Sequence, residues 1–196
     1  LAPEDFVETC NDKGKTHLFI ESLGFHSPKT YLHIEEVKKE LKIVITYIQE
    51  QSFAKNIIGY QIAGSMTEEW MAFEYNGSQG KRSRELFLEE VKKNRYQNNE
   101  HDYHKFLNVQ VTNVISELAA YIKELTDHRL IVGSFYGYTY CLTSWGFGHS
   151  ALANLLECKD IDFICSPLSY WLGREVGKPC PYMSPVSSIL LHNKMY

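Results

Sequence analysis

The chain has 196 residues, 44% of them hydrophobic and 22% charged, with a net charge of −4. That length supports a single domain, residues 1–196, with a sizeable core, and the acidic balance predicts no nucleic-acid partner. No apolar run approaches the roughly 18–20 residues of a membrane span, so no membrane partner is expected.

Residues 16–22 (THLFIES) read as a first strand. Over 32–49, Leu32, Ile34, Val37, Leu41, Val44, Ile45 and Ile48 fall largely at helical spacing. Residues 57–63 form a short apolar run, β-branched at its start, and read as the second strand. The glycine-bearing segment 76–80 is a loop, and 83–96 a helix. The cleanest periodicity lies in 108–126, where Val111, Val114, Ile115, Leu118, Ala119, Ile122 and Leu125 step by three or four.

A third strand covers 129–136 and ends at Gly137. Residues 149–157 form a short helix with Ala151, Leu152, Leu155 and Leu156 on one side. A fourth strand, 162–166, stops at Pro167, and the three prolines of 179–185 make a rigid loop. Residues 188–193 (SILLHN) read as a fifth strand. Alternating strands and helices with near-continuous apolar strands predict a parallel α/β sheet. An open doubly wound sheet and a (β/α)8 TIM-type barrel are the two candidates. No Gly-x-Gly-x-x-Gly turn follows a strand, and polar and aromatic residues gather after the later strands, which favours the barrel. A complete barrel takes about 250 residues, so five strands predict an incomplete one.

The five cysteines have no C-x-x-C pair, and the eight histidines are scattered. This predicts free thiols, a reducing cytoplasmic setting, and neither a disulfide framework nor a zinc site. No metal and no cofactor is expected. The chain starts at Leu1 without a charged-then-apolar leader, which leaves secretion open.

The segment Ser65-Met66-Thr67-Glu68-Glu69-Trp70 follows the second strand with two carboxylates and an indole. A carboxyl group at the carboxyl end of a parallel strand suits general acid/base chemistry. Adjacent residues in extended chain point to opposite sides, so one of the pair faces a pocket. Glu69, beside the apolar wall of Trp70, is the preferred general acid/base, and Glu68 the alternative. Both glutamates at a helix start, favoured there by the helix dipole, is the structural reading.

Tyr136 and Tyr138 leave the third strand on one face, either lining a ligand subsite or serving as core aromatics. Ser166 and Tyr170 follow a strand end and could bond hydroxyls, as could Ser169. His149 either starts a helix or donates to a ligand. Glu21 is an acid in an apolar run, either a subsite acid or a paired structural one. Arg174 and Lys194 could partner a carboxylate.

Collinear segments carry a family resemblance. They are Ile58-Gly59-Tyr60-Gln61-Ile62-Ala63-Gly64 with Thr67-Glu68-Glu69-Trp70, then Val132-Gly133-Ser134-Phe135-Tyr136-Gly137-Tyr138 and Gly148-His149-Ser150-Ala151-Leu152. Asp160-Ile161-Asp162-Phe163-Ile164-Cys165-Ser166-Pro167 with Ser169-Tyr170, and Met183-Ser184-Pro185-Val186, follow. Together they resemble the β-galactosidase-like glycoside hydrolases of clan A, whose catalytic domain is a (β/α)8 barrel.

The resemblance makes 57–63 the fourth barrel strand and the five strands the third to the seventh. It implies retaining hydrolysis of a β-galactoside or related glycoside in a full-length parent, with a carbohydrate as partner. Glu69 or Glu68 would be the acid/base, and Glu21, Trp70, Tyr136, Tyr138, Ser166 and Tyr170 would bind substrate. The nucleophile would lie beyond Tyr196, leaving this stretch inactive by itself. The chain has Glu68-Glu69 where the family has an Asn-Glu pair.

The alternative is a non-catalytic carbohydrate-binding or scaffold module on a degenerate barrel. A cysteine nucleophile at Cys165, with His149 or His192 as base, is disfavoured because Ser166-Pro167 is not a glycine-flanked turn. Unpaired outer strands of a partial barrel predict a chain that is either homo-oligomeric or poorly soluble.

Overall fold

The computed structural model describes residues 9–10, 16–17, 34–64, 69–70, 81–140, 148–170 and 173–196. Helix α1 (Ile34–Gln49) opens the well-packed part and buries Val37 and Ile45. Strand β3 (Gly59–Ile62) follows a 3-10 turn at Ala54–Asn56. Helices α2 (Lys81–Lys92) and α3 (Glu100–Leu125) precede β4 (Ile131–Phe135), and α4 (Leu152–Glu157) precedes β5 (Phe163–Cys165). Helix α5 (Val186–Leu191) comes last. Strands β1 (Thr9–Cys10) and β2 (Thr16–His17) form a separate antiparallel pair.

The main sheet is parallel, in the order β3-β4-β5. Gly59 to Ile62 pair with Ile131 to Ser134, and Gly133 to Phe135 with Phe163 to Cys165. Side chains alternate across a strand, so Tyr60, Ile62, Val132, Ser134 and Ile164 share one face. Helix α3 packs against that face, and α1 and α4 pack on α3. Ile62, Val132 and Ile164 meet Val111, Ile115, Leu118 and Ile122 in the main core. The opposite face carries exposed Gln61 and half-buried Phe135, Phe163 and Cys165.

Helix α3 is 26 residues long because its stripe is continuous and its ends are capped. The Asn99 side chain accepts from the Asp102 N–H at 2.8 Å, and Asp102 in turn accepts from the Gln97 N–H at 2.6 Å. Such reciprocal bonds satisfy donors that the first turn leaves unpaired. At the other end, Asp127 and His128 take left-handed backbone, and the His128 N–H reaches back to the Lys123 carbonyl at 2.8 Å. Lys123 is buried there. Its ammonium bonds the Leu130 carbonyl at 2.9 Å and the Asp162 carboxylate at 2.6 Å. Asp162 also accepts from the Val132 N–H at 2.7 Å, tying α3 to the amino edge of β4 and β5.

The expected partial barrel is corrected. Among the described residues the parallel sheet has three strands and is not closed, so five strands numbered third to seventh of a barrel do not describe this chain. Two of the expected strands are not in it. Thr16–His17 pairs antiparallel with Thr9–Cys10, and the rest of the predicted first strand lies outside the described residues. The predicted fifth strand, 188–193, is mostly helix α5.

A strand would turn Ile189 and Leu191 to the same side, yet Ile189 is 0% exposed and Leu191 82%. A short apolar run satisfies both periods, and packing on the core selects the helix. Beyond α5, Met195 makes a single parallel bridge to Phe163. Its N–H donates to the Asp162 carbonyl at 2.8 Å, and its carbonyl accepts from the Ile164 N–H at 3.0 Å.

Candidate functional site

The carboxyl ends of the three parallel strands deliver Glu69, Tyr138 and Tyr170 to one place. In open α/β sheets this edge is where ligands bind. The phenol of Tyr138 donates to Glu69 Oε1 at 3.0 Å, and the Tyr138 and Tyr170 oxygens lie 3.4 Å apart. A phenol has one proton. Because the Tyr138 proton goes to Glu69, Tyr170 is the donor to Tyr138. The result is a two-step hydroxyl relay ending on a carboxylate.

Backbone geometry aims the carboxylate. Trp70, the next residue, has φ 58°, a region that a bulky aromatic side chain adopts only under constraint. The constraint is visible. Trp70 is 0% exposed, its N–H bonds the Gly64 carbonyl at 2.9 Å, and its indole N–H bonds the Ile62 carbonyl at 3.1 Å. Ser134 Oγ donates to the same Ile62 carbonyl at 3.0 Å. Gly64 is needed beneath the ring, since a Cβ there would stand 2.5 Å from the indole.

His149 joins the two halves of the site. It is 2% exposed, and its Nδ1 accepts from the Tyr138 N–H at 3.1 Å. The proton is therefore on Nε2, which donates to the Glu69 carbonyl at 2.7 Å. The ring lies between two phenols, stacked on Tyr136 at 4.5 Å and on Tyr138 at 5.5 Å. Burial drives its pKa down to about 4, only partly opposed by the backbone bonds, so the ring is neutral near pH 7. Burial also pushes the Tyr138 phenol well above the usual tyrosine range, and the Glu69 carboxylate that accepts its proton adds to the effect.

Tyr136 is core, not rim. It is fully buried, donates to the Gly148 carbonyl at 2.8 Å and accepts from the Ala151 N–H at 3.0 Å. It holds the 148–151 segment on which His149 rides. Asn108 of α3 holds the same segment by accepting from the Ser150 N–H at 2.7 Å. Trp70 is likewise a buried support rather than an exposed wall. Ser166 donates to the Gly137 carbonyl at 2.9 Å, fastening the ends of β5 and β4 to each other. His149 neither caps α4, whose N-cap is Ala151, nor reaches solvent. Glu68 and Glu21 lie outside the described residues.

Among the described residues, Arg174 pairs with no carboxylate. Its guanidinium stacks 4.6 Å from the Tyr170 ring centre, and Nε donates to the Ser169 carbonyl at 2.7 Å. Lys194 bonds the Cys158 and Ile161 carbonyls, away from Glu69. Cys165 is half-buried beside Gln61, and burial pushes its thiol pKa up, which disfavours a thiolate nucleophile. Asn108 carries no local site motif, and its one readable signal is a polar side chain on the apolar stripe of α3. Nothing local marks the stacking role of Arg174. Among the described residues, no cluster of three or more His, Cys, Asp or Glu side chains could hold a metal ion.

Comparison of the chain with protein-family models, with curated proteins and with solved structures finds no significant match.

Proposed function

We propose that this edge of the sheet binds a glycoside and that Glu69 acts as the general acid/base of a retaining hydrolysis, on a β-galactoside or a related sugar. The observation that carries the reading is the Glu69 carboxylate held by the Tyr138 phenol at 3.0 Å, at the carboxyl edge of a parallel sheet. A carboxyl group that delivers a proton to a leaving oxygen needs fixed aim and partial shelter from water. The left-handed Trp70 backbone and the His149 bridge supply the first, and the buried aromatics around Tyr138 the second. Tyr170, 47% exposed, offers a ring face and a hydroxyl to a sugar. The sequence resemblance to β-galactosidase-like hydrolases supports the same role for Glu69.

Non-catalytic carbohydrate binding is the second reading, and the exposed Tyr170 ring favours it independently of any acid/base step. Hydrolysis needs a second carboxylate about 5–5.5 Å from the first, whereas binding needs none. The test measures binding of methyl β-galactoside through the indole resonances and, in parallel, turnover of a nitrophenyl β-galactoside. A loss of turnover on the order of 10²–10⁴-fold in Glu69→Gln supports the acid/base role. Turnover unchanged by Glu69→Gln rejects it. Binding without turnover, also when azide or formate is added as an external nucleophile, selects the non-catalytic reading, and neither signal rejects both.

A further inference from the structure

We infer that Arg174 is a positioning residue for Glu69, acting through the hydroxyls of Tyr170 and Tyr138; this rests on the reading of Glu69 as the reacting carboxylate. Tyr170 lies at the end of the segment that follows β5, and its ring is nearly half exposed. An exposed phenol in a loop samples several rotamers unless something holds its plane.

Arg174 holds it from one side. The guanidinium carbon is 4.6 Å from the ring centre, within the range of a cation–π contact. The same group is fixed to the two backbone carbonyls that precede the tyrosine, with Nε on the Ser169 carbonyl at 2.7 Å and Nη2 on the Leu168 carbonyl at 3.3 Å. A planar fork can stack and donate at the same time, which a lysine ammonium cannot.

The anchor is itself rigid. Leu168 bridges antiparallel to Tyr182, the Ser169 N–H donates to the Pro181 carbonyl at 2.8 Å, and Cys180 Sγ lies 3.5 Å from the Ser169 carbonyl. Gly173 has φ 72°, and a Cβ there would meet the Pro179 carbonyl oxygen at 1.9 Å. The chain is thus folded back tightly beside Arg174, and the stacked Tyr170 hydroxyl reaches Tyr138 at 3.4 Å. With its oxygen occupied by the Tyr170 donor, the Tyr138 phenol is oriented to give its proton to Glu69. Arg174 itself touches neither Glu69 nor a reacting atom in this geometry.

The test is carbon-13 NMR of glutamate-labelled protein at fixed neutral pH, with the Glu69 carboxyl resonance assigned by its loss in Glu69→Gln. The expected result is that Arg174→Met moves this resonance in the same direction as Tyr138→Phe, and that Arg174→Lys does not restore it. Adding Arg174→Met to Tyr138→Phe should then produce no further shift. A purely structural arginine would leave the Glu69 resonance in place, and additive shifts in the double variant would equally overturn the proposal. Should Arg174→Met fold poorly, Tyr170→Phe breaks the relay while leaving the arginine clamp intact, and it should produce the same shift. A still Glu69 resonance in that variant overturns the relay. The readout needs no turnover, so an absence of glycosidase activity leaves it standing. If turnover is present, Arg174→Met should lower kcat on the order of 10-fold with little change in KM.

Discussion

The phenol of Tyr138 and the carboxylate of Glu69 meet at 3.0 Å although they are 69 positions apart in the chain. They meet because β3 and β4 run parallel in a register that pairs Ile62 with Ser134, so both chains leave the sheet at the same edge. Removing the hydroxyl in Tyr138→Phe should keep the stacking on His149 and lose the charge-assisted bond. The expected destabilisation is about 1–2 kcal/mol, measurable by urea unfolding, given the half-buried position. In alkali the phenol titrates later in the folded chain than in the unfolded one. The folded state therefore retains the proton longer, and stability should fall as pH rises above about 10. Alkaline unfolding of Tyr138→Phe should be less steep.

The opposite pH limb belongs to His149. Its folded pKa is near 4 and its unfolded value near 6.5. Between those limits the unfolded state binds the extra proton, so stability should rise with pH and fall as pH drops from 6.5 to 4. Two to three pH units of depression correspond to roughly 3 kcal/mol. Protonation also removes the Nδ1 acceptor that holds the Tyr138 N–H, so the site should loosen with it. Chemical denaturation at a series of pH values should show this slope in the wild type and lose most of it in His149→Gln.

Gly64→Ala should disturb the site without touching a charged group. The added methyl would stand 2.5 Å from the Trp70 indole, which is buried and tethered by two hydrogen bonds. Overpacking of this kind costs about 1–3 kcal/mol. Thermal unfolding should report the loss, and the Trp70 indole N–H resonance should shift as its bond to Ile62 is strained.

At the far end of the sheet, Asp162→Ala should affect stability alone. It strips the buried Lys123 ammonium of its counter-ion and the Val132 N–H of its acceptor. A fully buried pair broken this way costs about 3–5 kcal/mol, and partial exposure of Asp162 lowers the expectation to about 2 kcal/mol. The urea midpoint should drop, while the Glu69 carboxyl resonance stays where it is in the wild type.

Legibility from sequence was uneven for physical reasons. The stripe of α3 was readable because seven apolar positions repeat at helical spacing over four turns, more than chance or a strand would allow. The strands at 57–63, 129–136 and 162–166 were readable because β-branched and apolar runs end at small or proline residues, and β3, β4 and β5 fall inside them. The segment 188–193 was not. Six residues with an apolar centre satisfy both periods, and only burial of Ile189 against the core decides for the helix. Tyr136 and Tyr138 look alike in the chain. One is core and the other bonds Glu69, because the first still lies over the α3 side of the sheet and the second has passed its edge.

Local pattern by itself determined that this is an α/β chain with parallel strands, and that an acid, two tyrosines and a serine follow strand ends. Those properties depend on a few neighbouring residues, and a sequence displays them directly. Tertiary structure alone decided that, among the described residues, the parallel sheet is open and three-stranded. It also decided that His149 is a buried neutral bridge between Tyr138 and Glu69. Each of these depends on register and packing between segments 30 to 80 or more residues apart, which no local propensity encodes.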